Sequence, residues 1–393
     1  LSKRVSRLTF VGIDQLVVSG GNFVTLALIA RRTEMADFGI FAMIISGLLF
    51  LQGLVSAGIS SPMQSLAPKY GSASWVRSFY FMVQLKTATV VLAAAALSVL
   101  MPLPSYAVVV LSFAAISQMQ EFLRKLAYMD GDAAVSLSSS FIRHVAVVLG
   151  VLASQERLEL HSIFSLFLLS SAISLLPFKR YLYLLSGASG GKHEIVNKTL
   201  RYVSWNVPSS ILHWANGQFF IVATGIWVGV EAAAIMRAAQ SILGLTHVGF
   251  HAAENILPPS FSRALNSGGL NRLRAKRNRF ILLSVCCMLI AGVLLVVPSE
   301  YLLRVVFGEE YSGYSWVVQV IFLKYLLMSV ALPLRLAFLA REWTQKVFSS
   351  YALGGVVTLC SIPLIWWGGI AGASAGYVGA QLIATAYLFR VGR

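Results

Sequence analysis

The sequence predicts an all-α polytopic membrane protein of about twelve transmembrane helices, set as two six-helix bundles, an N and a C lobe, around a central cavity. Three observations carry this expectation. Apolar residues fill 57% of the 393 positions, charged residues only 12%, and the mean hydropathy is +0.76. A soluble domain carries about 25% charged residues. Apolar runs near the roughly 20 residues that cross a bilayer recur along the whole chain. Positive charge gathers in alternate connections between them.

Taken in order, the runs are expected at 9–30, 38–60, 79–101, 106–126, 134–154, 162–185, 204–228, 232–257, 280–298, 314–338, 346–367 and 370–390. No charged leader, short apolar run and small-residue cleavage site stands apart at the start, so the first run is expected to be a retained helix. With the N-terminus inside, 22 of the 31 Lys and Arg fall in cytoplasmic segments. The opposite side holds only Arg31, Arg32, Arg157 and Arg304, together with most of the loop acids. That asymmetry predicts an even number of spans and both termini in the cytoplasm. The net charge of +16 is therefore spread over loops and not gathered on one soluble face, which argues against nucleic acid as a partner. Cys286, Cys287 and Cys360 lie inside apolar runs with no metal or disulfide spacing, and are expected to pack there.

Five basic residues fall within the spans: Lys86, Arg143, Arg237, Lys324 and Arg335. By position, Arg143 and Lys324 lie near mid-membrane. Each charge there costs about 2.5–3.5 kcal/mol on insertion scales, so both are expected to line a cavity or meet a buried partner. Lys86, Arg237 and Arg335 lie nearer the ends, where snorkelling to the headgroups competes with cavity lining. The stretch 230–263 organises the rest. Arg237, Gln240, Gly244, His247, His251 and Glu254 recur at steps of three and four, so one long helix would carry all six on a single wet face.

A weak half-length repeat pairs Ile40 with Ile235, Ser46 with Ser241 and Leu48 with Leu243. The first span of each half also carries polar residues: Asp14, Gln15, Ser19 and Asn22, then Asn206, Ser210, His213, Asn216 and Gly217. The lobes are expected at 1–188 and 189–393, joined through the basic, glycine-containing segment 185–201.

Catalytic chemistry finds little support, and no cofactor is expected. His247 and His251 stand four apart on a helix, but their third metal ligand would have to be Glu254 or a distant group, and no metal is expected. The pairs Gly20–Gly21 and Gly190–Gly191 form no phosphate loop. Asp14 and Glu254 read either as ion-coupling sites or as partners of buried bases, while Glu121 is expected to pair with Arg124 or Lys125. His213, His247 and His251 suit either proton coupling or helix packing. The sum is a cavity richer in positive than negative charge, a site for an anion such as phosphate.

Three motifs add a resemblance. YLLRVVFGEEYSGYSWVVQVIFL (301–323), ADFGIFAMIIS (36–46) and NILPPSFSR (255–263) resemble, in order and spacing, segments of the multidrug/oligosaccharidyl-lipid/polysaccharide exporter superfamily, in its O-antigen and capsular polysaccharide flippase branch. The resemblance implies a flippase that carries an undecaprenyl-pyrophosphate-linked oligosaccharide from the cytoplasmic to the periplasmic leaflet by alternating access, without covalent chemistry. It implies membrane lipids and other polysaccharide assembly proteins as partners. It also assigns the anionic lipid to Arg143, Arg237, Lys324 and Arg335, with Lys86, Gln240, His247, His251, His213 and Asn216 as further cavity residues. The two extra spans of the peptidoglycan-precursor branch are absent. A multidrug or cation antiporter of the same superfamily is the first alternative and would want acids in the cavity. A membrane-embedded glycan polymerase would want a large loop or an acid cluster, and the loops are short.

Overall fold

The computed structural model describes residues 2–67, 74–154, 157–186, 192–341 and 343–392, and among them there is no strand. The helices are α1 (Ser2–Arg32), α2 (Met35–Val55), α3 (Ser61–Leu66), α4 (Ser74–Ser98), α5 (Ala107–Asp130), α6 (Ala133–Ala153), α7 (Leu160–Ile173), α8 (Lys192–Gly217), α9 (Phe219–Trp227), α10 (Val230–Gly244), α11 (His247–Leu295), α12 (Ser299–Val306), α13 (Ser315–Ala340), α14 (Thr344–Cys360) and α15 (Ile362–Val391). Each of the twelve expected spans falls on helix over most of its length. Six helical stretches of the described residues are long and apolar enough to cross a membrane by themselves, and the pair α14–α15, bent by 82°, makes a seventh.

Lipid explains both the choice of helix and the surface it presents. Without water to bond, backbone amides and carbonyls must pair within the segment. Side chains facing outward are apolar: Leu100, Val297 and Trp367 are about four-fifths exposed, at 82%, 78% and 81%. Cys286, Cys287 and Cys360 share this outward face, against the expectation that they pack inside. A thiol is small and apolar enough for that surface.

The described chain divides into two compact units, Leu1–Thr33 with Leu48–Ile211, and Glu34–Gly47 with Leu212–Arg393. In the first, the opening of α8 is held by the Thr199 and Tyr80 hydroxyls at 2.6 Å, by Ser65 donating to the Tyr202 hydroxyl at 3.1 Å, and by Asn206 Nδ2 donating to the Ala57 carbonyl at 2.9 Å. Ile195 joins Met63, Tyr80, Phe122 and Leu126 in its core. Much of the expected linker 185–201 is therefore packed helix, because its apolar positions have a core to enter; residues 187–191 lie outside the described ones.

In the second unit the opening of α2 is the keystone. Phe38 packs at 6.3 Å from Phe307 and 6.2 Å from Tyr311, so two of the three motifs that carry the resemblance meet here. Gly39 lies against the chain at Val230, where a Cβ would stand 1.8 Å from the carbonyl oxygen. Trp214 Nε1 donates to the Ser46 carbonyl at 2.8 Å.

The stretch 230–263 is not one helix. Hydrogen bonding tightens to three-residue steps at Leu245 and Thr246, which end α10 and begin α11. Arg237, Gln240 and Gly244 thus sit on one helix, and His247, His251 and Glu254 on another. Spacing alone cannot register such a break, because its residues keep helical backbone angles. Farther on, α11 turns at Gly268–Gly269, where Gly269 takes φ +62°, a conformation only glycine holds without strain.

The Gly39 contact sets a paired test. Gly39→Ala must move backbone and should cost about 3 kcal/mol, lowering the thermal unfolding midpoint in detergent by several degrees. Gly47→Ala, on the same helix with nothing within 4 Å of its Cβ, should leave the midpoint unchanged or raise it slightly. Equal midpoints would mean that no close helix crossing exists at Gly39.

Candidate functional site

Each unit has its own polar interior. In the first, Asp14 on α1 is fully buried. Arg124 on α5 donates to it at 2.7 Å and, with its other terminal nitrogen, to Glu121 at 2.7 Å. Tyr128, one turn further along α5, donates its hydroxyl to the same Asp14 oxygen. Lys125 lies 3.8 Å from Glu121 and donates to Ser56 at 2.7 Å. Arg124 and Lys125, assigned to a cytoplasmic segment by sequence, lie within α5 because that helix runs on to Asp130. Asp14 Oδ1 and Arg124 Nε are buried without a hydrogen-bond partner among the described residues.

Arg143 on α6 meets no carboxylate among the described residues. Its Nη1 donates to Gln120 Oε1 at 2.8 Å, and its guanidinium lies 5.8 Å from the Phe113 ring. Gln120 is held in turn, donating to Ser139 at 3.0 Å, which donates to the Ser174 carbonyl at 2.8 Å. Next to it, His144 fills the space a side chain at Gly21 would need, so α1 and α6 close tightly over this region.

The second unit gathers more of the expected residues. Lys324 on α13 is 7% exposed; its ammonium donates to the Asn216 carbonyl at 3.0 Å and lies 3.2 Å from the centre of the Tyr377 ring. The carbonyl is available because α8 ends at Gly217 and leaves its last acceptors open. Asn216 is a hub: its Nδ2 donates to the Tyr351 carbonyl at 3.2 Å, and its Oδ1 accepts from Thr358 at 3.2 Å. Arg335, eleven residues beyond Lys324 on α13, donates to the Glu254 carboxylate and to the Tyr351 hydroxyl. His213 stands edge-on to Tyr351 with ring centres 5.6 Å apart.

Beside this network, His247 Nε2 lies 3.3 Å from the Tyr325 hydroxyl. Arg237 is half-buried and Gln240 is 7% exposed. Among the described residues, Arg237 Nε and Gln240 Nε2 are buried without a hydrogen-bond partner. Lys86 is exposed on α4, and the side chain of His251 lies outside the described ones.

The structure therefore brings Lys324, Arg335, His213, Asn216 and Glu254 into one network in the second unit, and holds Arg143 in the first. Sequence reasoning missed Tyr128, Gln120, Tyr351, Tyr377 and Thr358, whose types are common in apolar helices and carry no spacing signal. The pairing of Glu121 with Arg124, expected from their spacing of one turn, is present, while the second partner of Arg124, Asp14, comes from another helix. Glu121, Asp14 and Glu254 each take an arginine partner. Arg143 and Lys324, in contrast, are met by an amide, a carbonyl and aromatic faces.

No family model matches the chain, and no curated protein matches it. Solved structures do. An inward-facing multidrug resistance MATE family transporter of the MOP superfamily superposes with a TM-score of 0.69 at 14% identity, over 96% of this chain and 94% of the other. A MATE transporter in complex with MaL6 gives 0.69 at 16% identity, over 99% and 95%. A MOP superfamily transporter from Pyrococcus furiosus Vc1, for which reverse polarity of the binding pocket suggests a different function, gives 0.66 at 15% identity, over 99% and 94%. The chain has the fold of the MATE transporters of the MOP superfamily.

Proposed function

We propose that the chain is a membrane flippase for an anionic, lipid-linked glycan, carried from the cytoplasmic to the periplasmic leaflet by alternating access. Undecaprenyl-pyrophosphate-linked oligosaccharide is the substrate class. The observation that carries the reading is the uneven pairing of charge inside the spans. Asp14 and Glu254 are each engaged by arginine, whereas among the described residues Arg143, Arg237 and Lys324 have no carboxylate partner. An ammonium has three donors, and the structure gives one of Lys324's to Asn216. Positive charge left over in a low-dielectric interior suits pyrophosphate oxygens, which accept charge-assisted bonds from lysine and arginine. The glycan would meet Asn216, Gln240 and His213, and the isoprenoid would remain in lipid.

A second reading, an antiporter of cationic drugs, draws on the likeness to multidrug MATE transporters. It requires a carboxylate free to receive a cation, and Asp14 and Glu254 are already bound to arginine. The neighbour whose binding pocket has reversed polarity supports the view that one fold serves substrates of different charge.

The deciding experiment is native mass spectrometry of the purified protein in lipid nanodiscs, comparing the unaltered chain with Arg143→Gln and Lys324→Gln. A pyrophosphate-linked isoprenoid glycan should ride with the unaltered protein. Each variant should bind it about tenfold less, the loss of one charge-assisted bond. Retention of cationic dyes by all three proteins, with no anionic species on any, would replace this reading by the antiporter.

The role of Asp14 is tested separately. As a partner of Arg124, its loss leaves a buried charge unmatched, and Asp14→Asn should destabilise by about 3 kcal/mol or more in chemical unfolding. Adding Arg124→Gln should recover much of that loss. An ion-coupling site would instead show Asp14→Asn near full stability but with transport no longer responsive to a proton or sodium gradient.

A further inference from the structure

The middle of α11, which charge asymmetry assigns to the cytoplasmic side, carries a concentration of cations that the proposed transport site does not use. Between Glu254 and Glu300 the sequence has no acidic residue, yet it has Arg263, Arg272, Arg274, Lys276, Arg277 and Arg279. In the folded second unit three arginines converge. Arg274 and Arg277 from α11 and Arg341 from the end of α13 rim a shallow recess floored by Leu270, Leu273, Leu334 and Phe338. Arg277 and Leu334 are shared with an adjoining recess of about 370 Å³, whose other walls are Ile281, Phe389 and Asn278.

Two of the three guanidinium groups are fixed before any ligand arrives. Arg277 donates to the Gly392 carbonyl at 3.0 Å and, through Nε and Nη2, to Asn278 Oδ1 at 3.0 and 2.9 Å. Arg341 stacks over Trp343 at 3.3 Å, and Trp343 stacks on Phe338 at 5.7 Å. Among the described residues neither Arg277 nor Arg341 forms an ion pair. Desolvation, then the adjacent Arg274, lowers the Arg341 pKa from its ordinary value. Like charges held together in this way are relieved by an anion.

From this geometry we infer a binding site for the phosphate of an anionic phospholipid, with the headgroup between Arg277 and Arg341 and an acyl chain along the apolar recess of Ile281, Leu334 and Phe389. Arginine suits a phosphodiester because its planar fork gives two parallel bonds. The apolar groove beside the charged rim favours a lipid over free phosphate. Leu334 and Phe338 lie farther along α13 than Lys324, by roughly 15–20 Å at helical rise, so the recess does not include Lys324, and Arg335, the network residue next to Leu334, is not among its lining residues.

The test uses the full chain in detergent, read by native mass spectrometry with added dioleoylphosphatidylglycerol, dioleoylphosphatidylcholine or inorganic phosphate. One phosphatidylglycerol should be retained roughly tenfold more strongly than phosphatidylcholine, and an excess of phosphate should not displace it. Arg277→Gln combined with Arg341→Gln should abolish the preference. Arg341→Gln alone, which leaves the Gly392 tie intact, should reduce it severalfold. Arg272→Gln combined with Arg279→Gln, equal in charge loss but outside the recess, should keep it. Equal retention by the recess variants, or equal loss in the control pair, overturns the site. Displacement by phosphate assigns the recess to the free ion and overturns the lipid.

Discussion

A charge buried inside the spans is costly unless something in the protein meets it, and this constraint shapes both units. Burying an ion costs several kcal/mol even after relaxation, so an unmatched one draws helices toward whatever can meet it. In the first unit Asp14 ties α1 to α5 through Arg124 and Tyr128. In the second, Arg335 ties α13 to α11 through Glu254 and to α14 through Tyr351. Lys324 reaches the open end of α8 and an aromatic face on α15. A desolvated ammonium over a ring is worth about 2 kcal/mol, which offsets only part of the burial cost.

The same logic explains what could be read from the sequence. Spans were legible because bilayer thickness fixes their length and because lipid-facing positions must be apolar, as Leu100 and Trp367 are. That Arg143 and Lys324 would need buried partners was legible from their depth. The partners were not, because Gln120, Asn216 and Tyr377 are brought to them by helix rotation and crossing, which no single-helix periodicity encodes. Residues 230–263 show the limit most clearly. Five polar residues and Gly244 at helical spacing specify one face only if hydrogen bonding is continuous, and the tightening at Leu245 and Thr246, directly after Gly244, breaks that continuity while the backbone angles stay helical.

The opening of α2 shows the converse, a local motif whose meaning is wholly tertiary. In sequence, Phe38–Gly39 and Phe307–Gly308 are two loose aromatic-glycine pairs nearly 270 residues apart. In the fold, the rings touch and Gly39 admits the Val230 carbonyl. Each half of the contact constrains the other. A larger residue at Gly39 would push against backbone, and a smaller one at Phe38 would leave a void beside Phe307 and Tyr311.

Lys324 and Arg143 are neutralised less completely than Arg124 and Arg335, which meet carboxylates. At an effective dielectric of about 20, unit charges 4 Å apart attract by about 4 kcal/mol. The desolvation cost of each ion is of similar size, so a phosphate meeting either residue gains little net energy. A buried carboxylate in its place would hold the base tightly and close it to any anion, as Asp14 does for Arg124. Partners that are weak, neutral and replaceable, such as the Asn216 carbonyl and the Gln120 amide, stabilise the empty protein without competing with an incoming charge. Neither base is then locked to a fixed counter-charge.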